Sequence, residues 1–144
     1  MSKKIIFFDV DGTLVDVRPE REYIPEQTIQ AIEQAKQNGH LCVLCTGRSK
    51  AEIYDHILEI GFDGIIGAGG GFVEFHDNML YHKMVGQDAI DHVIDFFEEN
   101  QFDYYIESNG GLYASQNLIP RLERIMYGDL ENDPKAREKK EREP

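Results

Sequence analysis

The 144-residue chain predicts an α/β fold, part of an open parallel sheet followed by a smaller α+β module. Three observations predict it. A wholly apolar run, Ile5-Ile6-Phe7-Phe8, stops at Asp9-Val10-Asp11-Gly12-Thr13. Strand and helix patterns then alternate as far as residue 66, and from residue 72 the order changes to hairpins around a single helix. The domain boundary this implies lies near residue 84, giving a first unit over 1–84, an α+β module over 85–130 and a charged tail over 131–144.

Residues 3–9 read as the first strand, rich in β-branched and aromatic side chains and buried on both faces, as strands of parallel sheets are. Residues 14–24 read as a polar loop. Pro25 opens a helix with Ile29, Ile32, Ala35 and Lys36 at helical spacing, and Asn38-Gly39 closes it. A second strand, 41–45, delivers Thr46-Gly47-Arg48-Ser49 to a second helix whose Ile53, Ile57, Leu58 and Ile60 form its apolar face. A short strand follows at 64–66, then Gly67-Ala68-Gly69-Gly70-Gly71, read as a flexible passage that lacks the Gly-Lys-Thr of a P-loop. Residues 72–76 and 79–85 alternate around Asp77-Asn78 as a hairpin. An amphipathic helix over 87–100, a strand at Tyr104-Tyr105-Ile106, a hairpin signal at Asn109-Gly110 and a short helix over 117–127 complete the second module. The tail has no large apolar side chain to offset its ordering entropy and is expected to be disordered or helical in patches.

Composition narrows the function. A formal net charge of −12 argues against a nucleic-acid partner, because neutralising phosphates takes clustered Lys and Arg. No apolar run approaches a membrane span and no signal-peptide core follows Met1, so the expected location is cytoplasmic, with no membrane partner. Cys42 and Cys45 stand as C-x-x-C within a strand; their odd separation sends the thiols to opposite faces, and both are read as buried and inert.

Asp9 and Asp11 stand where a parallel sheet places its ligands, at the carboxyl end of a strand. Side chains two apart on a strand share a face, so both carboxylates could reach one ion or one phosphoryl group. Two acids that close repel unless a cation lies between them, and hard oxygen ligands open to water suit Mg²⁺. The alternative is an Asp-rich turn, for which one acceptor would suffice. Thr46 is a candidate phosphate ligand or an ordinary helix N-cap. Arg48 is a candidate phosphate contact or a surface arginine.

Asp9-Val10-Asp11-Gly12-Thr13 resembles motif I of the haloacid dehalogenase (HAD) superfamily, and Leu44-Cys45-Thr46-Gly47-Arg48 resembles its motif II. The hairpin at 72–85 is similar to the entry into the large cap of Cof-type (type IIB cap) phosphatases. The resemblance implies a Rossmann-like HAD core with part of an inserted α+β cap, acting on a small phosphorylated metabolite of the sugar-phosphate kind. It implies Asp9 as the nucleophile that becomes an aspartyl-phosphate and Asp11 as general acid and base. Thr46, Gly47 and Arg48 would hold phosphate, with amides at the start of the second helix assisting. Mg²⁺ would sit on Asp9 and Asp11, the latter through its carbonyl. A phosphomutase, or a non-catalytic phosphate- or metal-binding or interaction module, is the alternative. The family's motif III lysine and motif IV acids are not matched, and Gly128-Asp129-Leu130-Glu131-Asn132-Asp133 imitates motif IV without a preceding apolar strand. The chain is therefore expected to be an N-terminal fragment with little or no turnover. The first strand would then be an open edge through which copies self-associate.

Overall fold

The computed structural model describes residues 2–18 and 21–142, and the chain divides into two compact units, Met1–Met84 and Val85–Pro144. The first unit runs β1 (Ile5–Phe8), β2 (Asp16–Arg18), β3 (Arg21–Tyr23), α1 (Glu26–Gln37), β4 (Leu41–Cys45), α2 (Asp55–Leu58), β5 (Gly64–Gly67), β6 (Phe72–Phe75) and β7 (Asn78–His82). Its main sheet has the order β1-β4-β5-β6-β7. The first three of these strands are parallel and the β6–β7 hairpin continues the same sheet antiparallel.

One face of this sheet carries the core. Val10, Leu14, Ile32, Leu44, Ile57 and Phe72 are fully buried and pack together, with Phe8 and Ile65 against them. α1 supplies Ile32, and its end is a Schellman closure: Gly39, at φ +83°, donates to Lys36 O at 2.9 Å and His40 donates to Ala35 O at 3.1 Å. The opposite face is different. Ile5 and Phe7 are 56% and 58% exposed. The expectation of a first strand buried on both faces therefore fails, because the packed helical residues cover only the Phe8 side and β1 is an edge strand with β4 as its neighbour.

Four further expectations change. The 14–24 segment is not all loop: β2 and β3 pair antiparallel, with Asp16 opposite Tyr23, while Pro19 and Glu20 of that reading lie outside the described residues. The second helix is broken into a 3₁₀ turn, Lys50–Glu52, and the single-turn α2. Ile53 and Tyr54 between them are extended, yet Ile53 and Ile57 still reach the core. The hairpin turn sits at His76-Asp77, one residue early, where both residues have positive φ (+46° and +62°) in a two-residue primed turn. Cys42 is buried and Cys45 exposed, so the two thiols do part to opposite faces but only one is interior.

The second unit contains α3 (Gln87–Glu99), the hairpin β8 (Tyr105–Ser108) and β9 (Gly111–Ala114), α4 (Leu118–Tyr127) and α5 (Pro134–Arg142). Ile90, Ile94 and Phe97 form the half-buried stripe of α3, and Phe97 stacks on Tyr104 with centroids 6.0 Å apart. The tail, expected to be disordered or helical in patches, is helical over Pro134–Arg142. It docks without a large apolar residue: Ala136 is 3% exposed, Lys139 donates to Met126 O at 2.7 Å and Lys140 pairs with Glu123. Residues 143–144 lie outside the described residues. Among the described residues no helix is long and apolar enough to cross a membrane.

Leu44, fully buried in β4, should lose about 2–5 kcal/mol on Leu44→Ala, read as a lower urea midpoint. Leu80→Ala, at a site 66% exposed on β7, should leave the midpoint nearly unchanged.

Candidate active site

Because β1, β4 and β5 are parallel, their carboxyl ends lie along one edge of the sheet, and the chain leaves them at Asp9, Thr46 and Ala68. The first exit is a tight curl. The Val10 carbonyl accepts from the amides of Thr13 (3.2 Å), Leu14 (3.0 Å) and Val15 (3.0 Å). Val10, Leu14 and Val15 are buried and anchor the curl, Gly12 supplies its left-handed step at φ +75°, and Asp9 and Asp11 remain exposed. Thr13 Oγ1 donates to Asp9 Oδ2 at 3.4 Å.

Strand geometry ends at Phe8, so the rule that alternate strand residues share a face does not govern Asp11. Its carboxylate is held by Arg48: Nη2 donates to Oδ1 at 2.6 Å and Nε to Oδ2 at 3.1 Å, a bidentate ion pair. These hydrogen bonds hold the Asp11 carboxyl below its ordinary range, against a smaller opposing effect of burial. Arg48 is accordingly not a surface arginine. Its side chain is 16% exposed, Nη1 donates to Glu52 O at 3.1 Å, and its guanidinium carbon lies 5.5 Å from the centroid of the Tyr54 ring.

Thr46 is buried, and its hydroxyl oxygen accepts from the Arg48 amide at 3.1 Å. The cap of the following turn is Ser49, whose amide and hydroxyl both donate to Glu52 Oε2 at 3.0 Å. Thr46 is therefore not that turn's N-cap. The expected help from a helix N-terminus also weakens, since the element after Ser49 is only three residues long. Gly47 is exposed, with open space where a Cβ would stand.

The 67–71 segment was legible only as a passage, yet it is pinned to these loops. Ala68 donates to Arg48 O at 2.8 Å and Gly69 to Thr46 O at 3.2 Å. A Cβ on Gly67 would meet the Phe72 ring at 2.2 Å and Arg48 O at 3.2 Å, so this glycine permits a close approach. The glycine run was the available signal, but the contact partner across the sheet was not in it.

Among the described residues no group of three or more His, Cys, Asp or Glu could hold a metal. The hard donors present are the Asp9 carboxylate and the Asp11 main-chain carbonyl, which suit a Mg²⁺ that keeps several waters. The Asp11 carboxylate does not fit as a ligand while Arg48 occupies it. A cavity of about 650 Å³ lies in the second unit, lined by Arg121, Arg124, Asp129 and Glu131 among others. Its charges are largely satisfied locally: Arg121 pairs with Asp103, and Asp129 accepts from Glu131 and from Asn132's amide and side chain. The motif IV look-alike is thus the turn joining α4 to α5.

A family model described as haloacid dehalogenase-like hydrolase matches residues 6–144. YkrA of Bacillus subtilis (strain 168), named as a candidate phosphatase, is 32% identical over 90 residues, which are 62% of this chain and 34% of YkrA. A solved hypothetical protein from Geobacillus kaustophilus HTA426 superposes with a TM-score of 0.74 at 25% identity, over 92% of this chain and 52% of that one. The HAD subclass IIB sugar phosphatase BT4131 gives 0.68 at 28% identity, over 88% and 48%. BT1666 of Bacteroides thetaiotaomicron, a HAD superfamily phosphatase, gives 0.69 at 21% identity, over 99% and 53%, a likeness of fold. The chain spans about half the length of these solved relatives.

The Asp11–Arg48 pair has a pH signature. A carboxyl whose folded value is depressed adds stability above its unfolded value, 3.8 for Asp, and that stability is lost as pH falls through the lower folded value. The stability gap between wild type and Asp11→Asn, from urea denaturation, should be constant at neutral pH and shrink only below the unfolded value. A gap that widens on acidification would contradict the pair.

Proposed function

The chain belongs to the haloacid dehalogenase-like hydrolases, and from that membership we propose that it carries the phosphoryl-transfer machinery of a Mg²⁺-dependent phosphomonoesterase for a small phosphorylated metabolite, of the sugar-phosphate kind. The observation that carries the reading is the convergence of Asp9, Asp11 and Thr46 at the carboxyl edge of two adjacent parallel strands. Residues 1–84 are read as half of a Rossmann-like core and 85–130 as part of an inserted cap.

An Asp9 carboxylate oxygen attacks phosphorus, forming an aspartyl-phosphate as the ester P–O bond breaks. Asp11, which the Arg48 pair holds ionised in the free chain, would have to take up a proton as the anionic substrate binds; it would give that proton to the departing alkoxide, then take one from the water that attacks the same phosphorus and returns Asp9 as a free carboxylate. The Gly47 amide and the Thr46 hydroxyl would donate to phosphoryl oxygens. The Asp9 carboxylate and the Asp11 carbonyl would hold Mg²⁺, whose charge offsets that of the phosphoryl group.

Mg²⁺-dependent phosphate release from an aryl phosphate, expected to be small in this chain and read against a no-protein blank, should vanish in Asp9→Asn and fall about 10²–10⁴-fold in Asp11→Asn. Activity of Asp9→Asn equal to wild type would sink the reading. Transfer to an added sugar phosphate would mark a mutase, and labelled Asp9 without turnover a binding module. We also propose self-association through the β1 edge, supported by the exposure of Ile5 and Phe7. Light scattering should then give a mass above one 16.6 kDa chain, and a clean monomer would refute it.

A further inference from the structure

We infer that Arg48 is a positioning residue that sets the orientation of Asp11, not a ligand of the phosphoryl group, and that the broken segment after it exists as its cradle. A phosphate-binding arginine presents its fork of N–H donors to the anion. Here Nε and Nη2 are both directed at the two oxygens of Asp11, so the edge that matches a phosphate is already matched to a carboxylate. Nη1 is directed at the Glu52 carbonyl, and one face of the guanidinium lies over Tyr54. The main chain is fixed as well, since the Arg48 amide donates to Thr46 Oγ1 and its carbonyl accepts from Ala68.

The interruption of the expected helix belongs to this arrangement. In an uninterrupted α-helix the Glu52 carbonyl would accept the amide four residues on. With Ile53 and Tyr54 extended, that carbonyl turns to Nη1 and the Tyr54 ring reaches back over Arg48. The apolar spacing of Ile53 and Ile57 survives the break because both remain in the core. Burial thus accounts for those two isoleucines, and the guanidinium accounts for the kink between them. Two loops on neighbouring strands, residues 10–15 and 46–54, are joined by one side chain.

The importance of Asp11's orientation for phosphoryl transfer rests on the function proposed above; the clamp itself does not. Side-chain NMR of the full 144-residue chain separates the two. The Arg48 Nε–H should be protected from exchange in wild type and in Asp9→Asn, and should exchange about tenfold faster or more in Asp11→Asn. Addition of inorganic phosphate with Mg²⁺ should shift the amides of Thr46 and Gly47 and leave the Arg48 Nε–H in place. Should Asp11→Asn not fold, Arg48→Lys, which cannot span both oxygens, should move the Asp11 carboxyl carbon resonance and not that of Asp9. Equal exchange in wild type and Asp11→Asn, or an Arg48 Nε–H that follows phosphate as the Thr46 and Gly47 amides do, would overturn the inference. No response of those amides to phosphate would count against the phosphoryl reading, with the Asp11→Asn comparison still deciding the clamp.

Discussion

The parallel register of β1 on β4 is the constraint on which the candidate site depends. Phe8 lies opposite Leu44, so the chain leaves β1 at Asp9 and β4 at Thr46 along one edge. An antiparallel pairing would send those exits to opposite ends of the sheet. The register is held from the core side by alternation: Phe8 and Ile6 face the same way as Cys42 and Leu44, and a slip by one residue would turn Cys42 and Leu44 away from the core cluster they now fill. Burial of a few apolar side chains under α1 thereby sets which polar residues meet at the edge.

A second layer of constraint converts strand ends into a site. The curl after β1 stays tight because three amides share the Val10 carbonyl while Val10, Leu14 and Val15 are buried. Apolar anchors at three positions leave the intervening polar residues outside. Packing thus anchors the backbone of the curl from which the exposed carboxylates project. At the end of β5 the missing side chain of Gly67 likewise admits the Phe72 ring and the Arg48 carbonyl at once.

How far this was legible in the residues follows from the range of each interaction. Local signals served well: the apolar run of β1, the Pro25 and Gly39 ends of α1 and the i,i+4 pattern of α3 each name a structure formed within a few residues. The glycine at position 12 marked the turn, and the pairing of Asp9-Val10-Asp11 with Thr46-Gly47-Arg48 marked the edge. What could not be read was long-range. Asp11 and Arg48 are 37 residues apart, and nothing in either segment says that the guanidinium faces the carboxylate and not solvent. The broken helix escaped for the same reason, since Ile53 and Ile57 keep helical spacing while a tertiary contact redirects the chain between them. The α5 docking escaped differently: a single Ala and two lysines do what a search for large apolar residues overlooks.

The charge at the edge bears on what it can accept. Asp9 and Asp11 carry two negative charges against the single positive charge of Arg48, on a chain whose formal net charge is −12. A phosphomonoester dianion would approach a locally negative surface from within a negative field. Arg48 cannot reverse this, because its charge is already matched to Asp11 at 2.6 Å. A divalent ion on Asp9 and the Asp11 carbonyl would turn the local sum positive. On this account the Arg48 clamp and the need for a divalent cation are linked. If the proposed phosphoryl transfer holds, then the more completely the guanidinium is devoted to orienting Asp11, the more the neutralisation of phosphate would have to come from a metal and from main-chain amides such as that of Gly47.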